Sequence, residues 1–171
     1  MGVTGLGLFD DRPVSYLGTV EPTAVLFRTG LLAAAALFAA FSLFARDTFS
    51  APLDFLVVSW IGMVGQAIVA VVPLSGAGAA HAVHTTAGLV LGISLPILMW
   101  RFASGQPPGP WRVATYRLFW LESTACVVGV VLSWSGRAAL AEILPAGAYH
   151  LWVGVLTSRA SRRGRTAGAG G

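Results

Sequence analysis

The sequence predicts an all-α, polytopic transmembrane bundle of about five helices, and three observations support that fold class. Charged residues make up only 11% of the chain and hydrophobic residues 56%, whereas a soluble domain carries about 25% charged residues on its surface. Several segments stay apolar over about 20 residues, the length that crosses the hydrocarbon core of a bilayer. Short turn-forming connections separate these segments. We therefore expect lipid, not water, to be the main solvent of this chain.

The five predicted helices follow one another closely along the chain. They lie near residues 24–45, 53–72, 81–100, 117–135 and 138–156. The second helix stops at Pro73, before the turn-forming segment PLSGAGAA. The third is followed by SGQPPGPW, a segment that cannot continue a helix because of its prolines. In the fifth helix, Glu142, Pro145 and His150 interrupt the apolar run.

The domain organisation follows from these helices. Residues 1–22 are predicted to form an extracytoplasmic N-terminal segment, and residues 23–156 a transmembrane helical domain. Residues 157–171 are basic and Gly-rich, which is typical of a disordered tail. Cys126 is the only cysteine in the chain, and this excludes an intrachain disulfide.

The arginines indicate how the chain is oriented in the membrane. All eleven basic residues are Arg, and eight of them fall in three alternate segments: the first connection, the third connection and the tail. Basic residues near helix ends favour the cytoplasmic side. We therefore expect a multi-pass protein of a bacterial inner membrane, with the N-terminus outside and the C-terminus in the cytoplasm. The basic residues form no stripe interleaved with aromatics, so no nucleic-acid partner is expected.

Polar side chains within or next to the predicted helices indicate a candidate site near the outer boundary. Ionisable residues in a span are costly and normally face the bundle interior. The orientation predicts a cluster of four ionisable residues at one depth with one amide beneath them. The four are Arg28, His81, His84 and Glu142, and the amide is Gln66.

Two further polar residues, Glu122 and His150, are secondary candidates. Glu122 is expected to begin the fourth helix on the cytoplasmic side, and His150 to lie deeper in the fifth. Small and polar residues recur at helical spacing on one face of four helices, which favours packed helix–helix seams. These predicted stripes are Ser59, Gly62 and Gln66 on the second helix; His84, Gly88 and Gly92 on the third; Glu122, Cys126, Gly129 and Ser133 on the fourth; and Glu142, Ala146, His150 and Gly154 on the fifth.

Structural alternatives stay open. Arg28 can extend to the interface, and the histidines can cap a helix or bond across a seam. Glu142 can be exposed, and Glu122 can pair with Arg117 or lie in the head-group region.

No metal or cofactor is expected. His81 and His84 at i, i+3 could share a metal, with Glu142 or His150 as a further ligand, but no zinc-hydrolase spacing such as HExxH is present. The different depths of His84 and His150 disfavour a bis-histidine haem site.

Two motifs carry a family resemblance. Residues 15–32, SYLGTVEPTAVLFRTGLL, and residues 61–88, IGMVGQAIVAVVPLSGAGAAHAVHTTAG, resemble segments of the bacterial membrane proteins called domain of unknown function 998, related to Frag/DRAM/Sfk-like proteins. The resemblance extends over residues 15–156. It marks Ser15, Leu17 and Gly18 in the first motif and Pro73, His81 and His84 in the second.

This resemblance implies a six-helix fold whose N-terminus is inside, so the first helix is expected to be absent from this chain. Eukaryotic relatives are associated with lipid-anchor remodelling and membrane trafficking, whereas the bacterial proteins have no settled activity. Fold resemblance alone does not transfer a reaction.

Three function hypotheses follow. The first is a non-enzymatic protein that binds a lipid or a membrane partner, which includes a neighbouring helix or a second copy of the chain. The second is an enzyme that acts on a lipid head group, with His81 or His84 as acid/base and Arg28 holding an anionic group. The third is a small transporter subunit. An apolar groove would favour binding, a water-accessible convergence of His81, His84 and Glu142 an enzyme, and a polar path to Glu122 a transporter.

Overall fold

The computed structural model of the protein describes residues 12–74 and 77–168. In this part of the chain, a 3-10 helix, η1 (Val14–Thr19), precedes five α-helices. These are α1 (Thr23–Phe49), α2 (Leu53–Val71), α3 (Ala79–Ser104), α4 (Pro110–Trp134) and α5 (Ala138–Gly168). All five are long and apolar enough to cross a membrane. The predicted all-α transmembrane bundle is thereby confirmed, and the chain is a multi-pass membrane protein.

Successive helices pack side by side with alternating direction, and α5 returns to α1. Each of the pairs α1–α2, α2–α3, α3–α4 and α4–α5 is in contact. The ring of Phe38 on α1 meets Tyr149 on α5 with 5.4 Å between centroids. We call the end of the bundle with η1 and the starts of α1, α3 and α5 the η1 end, and the opposite end the arginine end.

An aromatic core holds the arginine-end half of the bundle together. Phe55, Phe102 and Trp152 come from α2, α3 and α5, and all three side chains are fully buried. The Trp152 ring lies 5.5 Å from Phe102 and 6.4 Å from Phe55, centroid to centroid. Buried aromatic pairs of this kind contribute about 0.5–1.5 kcal/mol each beyond the area that they bury. This half of the bundle therefore has a well-packed interior of its own.

Three glycines let neighbouring helices approach, and two of them lie in the predicted stripes. A Cβ atom on Gly65 would lie 2.9 Å from the Ala87 carbonyl oxygen, and one on Gly129 would lie 2.7 Å from the Ala141 carbonyl oxygen. A Cβ on Gly62 would meet the Ser94 Cβ at 3.0 Å. By contrast, Gly92 has open space at the same position, and Gly88 reaches only Val69 at 4.0 Å. The close seams are therefore α2–α3, at Gly62 and Gly65, and α4–α5, at Gly129. Gly62 and Gly129 belong to the predicted stripes, whereas the predicted pair Gly88 and Gly92 makes no close contact.

Two prolines lie inside helices without ending them, Pro96 in α3 and Pro145 in α5. A proline has no N–H, so the carbonyl four residues earlier loses its helical hydrogen bond. These carbonyls belong to Gly92 and Ala141, and both face α4. The Cys126 thiol reaches the Gly92 oxygen at 3.9 Å, and the Ala141 oxygen packs at Gly129. Neighbouring helices commonly accommodate freed carbonyls in membrane proteins.

Two helix boundaries differ from those predicted. Helix α4 begins at Pro110, seven residues before the predicted start, because proline suits the first turn of a helix, where its missing N–H is not needed. Helix α5 does not end near residue 156; it continues to Gly168 through most of the tail predicted to be disordered. Arg and Ala in that tail are good helix formers.

Candidate functional site

The Ser15–Gly18 motif folds into η1 and docks on the start of α5. The Ser15 backbone N–H donates to Glu142 Oε2 at 3.1 Å, and its hydroxyl donates to Oε1 at 3.2 Å. Ser15 is buried, whereas much of the Glu142 residue is exposed on α5. Both carboxylate oxygens are thus used to bind η1.

Arg28 and Phe27 attach the same motif to α1. Arg28 donates from Nη2 to the Gly18 carbonyl at 3.3 Å, and its buried Nε has no hydrogen-bond partner among the described residues. A Cβ on Gly18 would lie 2.8 Å from Cδ1 of Phe27, so the backbone of η1 sits directly on that ring. Thr23 also donates its hydroxyl to the Leu17 carbonyl at 3.0 Å. The 3-10 helix is therefore held from both α1 and α5.

His84 is buried at the junction between α2 and α3. Its Nδ1 lies 2.6 Å from the Val72 carbonyl oxygen at the end of α2, so Nδ1 carries the proton and donates. The side chain also interacts electrostatically with the Glu142 carboxylate. His81, one turn earlier, is exposed. The buried histidine thus fixes the turn after α2.

Gln66 lies beneath this layer. Its Nε2 donates to the Leu31 carbonyl at 3.3 Å, which links α2 to α1. The structure therefore brings four of the five predicted residues to the η1 end. Arg28 and Glu142 both bond η1, His84 bonds the Val72 carbonyl, and Gln66 links α2 to α1. His84 is buried against the Val72 carbonyl whereas His81 is exposed, so the two side chains do not point to a shared metal site. No group of three or more metal-ligating side chains occurs in the part of the chain that the structure describes.

Glu122 lies at a different depth from the one expected. The sequence placed it at the cytoplasmic start of the fourth helix, but the earlier start of α4 moves it to the helix centre. It is fully buried, and the Cys126 thiol lies 3.5 Å from its Oε1. The predicted stripe of Glu122, Cys126 and Gly129 therefore does face the bundle interior.

His150 lies at the middle of α5 but faces outward. Its Nδ1 bonds the Ala146 carbonyl of its own helix at 2.6 Å, and the side chain is exposed. Gly154, one turn later, has open space where a Cβ would lie. This stripe of α5 does not form the seam that the spacing predicted. Whether a neighbouring helix or a second copy covers it stays a prediction.

An apolar groove lies on the outer surface between α2 and α3. It has a volume of about 740 Å³ and is lined by residues 57–68 of α2 and 82–90 of α3. The lining side chains are apolar except for Thr86. Gly65 brings the helices together at its floor, and the exposed Val64 and Val83 form its walls. Sites for small ligands typically have volumes of about 300–1,000 Å³.

The sequence did not reveal this groove, because every residue in it is ordinary for a lipid-facing helix. The one available signal was Gly65, a glycine in the middle of a span where close helix contact is common. The Ser15–Glu142 contact was also missed, since nothing in the spacing of the two residues relates them.

These features define an integral membrane protein made of a five-helix bundle, with a small 3-10 helix latched to one end and a lateral apolar groove. Residues 7–159 match the family described as Protein of unknown function (DUF998). The chain belongs to that family, and the family resemblance of its two motifs is confirmed. The relation to Frag/DRAM/Sfk-like proteins stays a prediction. No curated protein and no solved structure gives a significant match to the chain.

Proposed function

We propose that this protein binds a membrane phospholipid and holds one of its acyl chains in the groove between α2 and α3. The observation that carries the proposal is the groove itself, which is apolar and opens laterally. In a membrane-embedded bundle this surface faces hydrocarbon, so a lipid tail is the ligand with both the chemistry and the access to enter it.

The length of the groove favours a lipid tail over another transmembrane helix. The lining of α2 extends over residues 57–68, which is about 16 Å at 1.5 Å per residue. The hydrocarbon core is about 30 Å thick, and a spanning helix needs about 20 residues. The groove therefore has about the length of one acyl chain, and it is too short for a full span.

The position of the groove indicates which leaflet supplies the lipid. Its α3 side is lined from residue 82, next to the exposed His81 in the first turn of that helix. The groove thus begins near the η1 end and continues along α2 past mid-membrane to Val57, four residues from the start of that helix. We infer that the head group lies beside His81, in the leaflet on the η1 side.

Groove filling tests the proposal. Val64→Trp places an indole in the groove, and Val127→Trp is its matched control because Val127 is 66% exposed on α4, outside the lining. Native mass spectrometry of protein extracted in a mild detergent would count the phospholipids retained per chain. We expect wild type and Val127→Trp to retain one lipid that Val64→Trp loses. Equal retention by the two variants would contradict the proposal.

The polar cluster supports an enzyme less well than the groove supports lipid binding. An acid/base mechanism needs its groups within reach of one substrate atom. Here Glu142 is bonded to Ser15, His84 to the Val72 carbonyl, and His81 is exposed. These contacts hold η1 and the α2–α3 turn in place, next to the head-group end of the groove.

We further propose that the η1 end faces outward across a bacterial cytoplasmic membrane. Most of the described arginines gather at the opposite end, where they are accompanied by the Asp54–Arg101 ion pair; they are Arg46, Arg101, Arg112, Arg159, Arg162 and Arg163. The positive-inside rule favours the cytoplasm for that end. In a Cys126→Ser background, an impermeant thiol reagent added to intact cells should label Thr19→Cys and not Ser161→Cys. The reverse pattern would overturn this orientation.

A further inference from the structure

Glu122 is an acidic side chain buried at mid-membrane depth. It is 0% exposed and lies twelve residues before the end of α4 at Trp134, about 18 Å from the η1 end at 1.5 Å per residue. Tyr149, with which it interacts electrostatically, lies eleven residues into α5. Both residues therefore lie close to the middle of a hydrocarbon core about 30 Å thick.

No cation compensates this carboxyl group within the described residues. Its Oε2 is buried without a hydrogen-bond partner, and the titratable groups that face it are Cys126 on its own helix and Tyr149 on α5. Asp54, by contrast, pairs with Arg101 near the arginine end. A buried, unpaired charge is strongly unfavourable, and such a group stays neutral instead.

The Cys126 thiol adds a second, independent argument. Its sulfur reaches two acceptors, Oε1 of Glu122 at 3.5 Å and the Gly92 carbonyl oxygen at 3.9 Å. That carbonyl has lost its helical partner to Pro96. A thiol has only one proton, so it cannot donate to both oxygens. If Glu122 carries a proton on Oε1, it donates to the sulfur, and the thiol proton then serves the Gly92 carbonyl.

We propose that Glu122 is a proton-binding site at the centre of the bundle, held as a neutral carboxylic acid in a relay with Cys126 and the Gly92 carbonyl. Ionisable residues inside membrane spans commonly mark proton pathways. Releasing the proton would leave an unpaired charge between α3, α4 and α5. Proton exchange therefore requires these helices to separate or a hydrogen-bonding partner to enter. This inference does not depend on the lipid groove, which lies on the outer side of α2 and α3.

Infrared spectroscopy of the full chain in an ester-free detergent tests the proposal, because the C=O stretch of a protonated carboxyl group is then separate from the carboxylate and amide absorptions. We expect this absorption at neutral pH in wild type, its loss in Glu122→Gln, and its retention in Glu21→Gln, a control at an exposed acid between η1 and α1. Absence of the absorption from wild type, or its persistence in a folded Glu122→Gln variant, would overturn the proposal.

A second variant tests whether the C=O stretch belongs to Glu122 if Glu122→Gln does not fold. Cys126→Ala removes the hydrogen-bonding partner of the acid and leaves its charge unchanged. The C=O stretch should move to a higher frequency, towards that of an acid without a hydrogen bond. An absorption that is insensitive to Cys126→Ala would belong to another residue and would contradict the relay.

Discussion

The Glu142 carboxylate accepts hydrogen bonds from both the backbone N–H and the hydroxyl of Ser15, a residue 127 positions earlier in the chain. The contact joins the 3-10 helix before α1 to the first turns of α5. Because Arg28 holds the same 3-10 helix through the Gly18 carbonyl, η1 closes one end of the bundle between its first and last helices.

Removing this carboxylate should release η1. Glu142→Ala leaves the buried Ser15 donors unsatisfied, at a cost of about 1–3 kcal/mol for each group. Hydrogen exchange at residues 14–19 should become much faster, while exchange in the α2–α3 core stays slow. Glu21→Ala is the control, since Glu21 is an exposed acid in the connection between η1 and α1. Unchanged exchange in Glu142→Ala would show that the contact does not hold η1.

A side chain at Gly18 should displace Phe27. Gly18→Ala places a Cβ 2.8 Å from that ring, and overpacking of this kind costs about 1–3 kcal/mol. We expect a lower thermal unfolding midpoint in detergent micelles, which the added change Phe27→Leu should partly restore. A double variant that is no more stable than Gly18→Ala would place the strain elsewhere.

Gly65 and Gly88 should respond oppositely to alanine. In Gly65→Ala the new methyl group meets the backbone of α3 at 2.9 Å, and backbone cannot move aside as a flexible side chain can. We expect a loss of stability of about 1–3 kcal/mol. Gly88→Ala has room and should be neutral or stabilising by up to about 1 kcal/mol. Reversible denaturation in mixed micelles compares the two; similar losses would contradict the assigned seam.

Substituting the buried His84 and the exposed His150 should have different effects on stability. His84→Ala removes the hydrogen bond between the imidazole and the Val72 carbonyl at the end of α2, a loss of about 0.5–1.5 kcal/mol. His150→Ala removes only a bond to its own helix on an exposed face. Protease cleavage in the α2–α3 connection should increase for His84→Ala alone. Equal cleavage in both variants would contradict the structural role assigned to His84.

The helices were predictable from sequence because an apolar run of about 20 residues has few alternatives in a membrane. The start of α4 was missed because the Pro/Gly-rich connection was interpreted as wholly non-helical, although Pro110 occupies the first turn of the helix. That difference of about two turns is what moved Glu122 from the membrane boundary to the centre of the bundle.

For the candidate site, the sequence predicted only the membrane depth of the residues and not their contacts. The spacing placed Arg28, His84 and Glu142 at one end, where the structure also has them. It could not show that Ser15 uses both Glu142 oxygens, because long-range pairing depends on how the helices are arranged. The groove depends on the way in which α2 and α3 cross at Gly65, and a hydropathy pattern does not encode this crossing.

Photo-crosslinking tests lipid binding in the groove most directly. Protein in bilayers that contain a phospholipid with a photoactivatable acyl chain would be irradiated, digested and mapped by mass spectrometry. Adducts concentrated in residues 57–68 and 82–90 are the predicted result, with Val64→Trp removing them and Val127→Trp leaving them. Adducts spread evenly over the exposed faces of α1, α4 and α5 would show that lipid only surrounds the bundle, and would contradict a bound acyl chain.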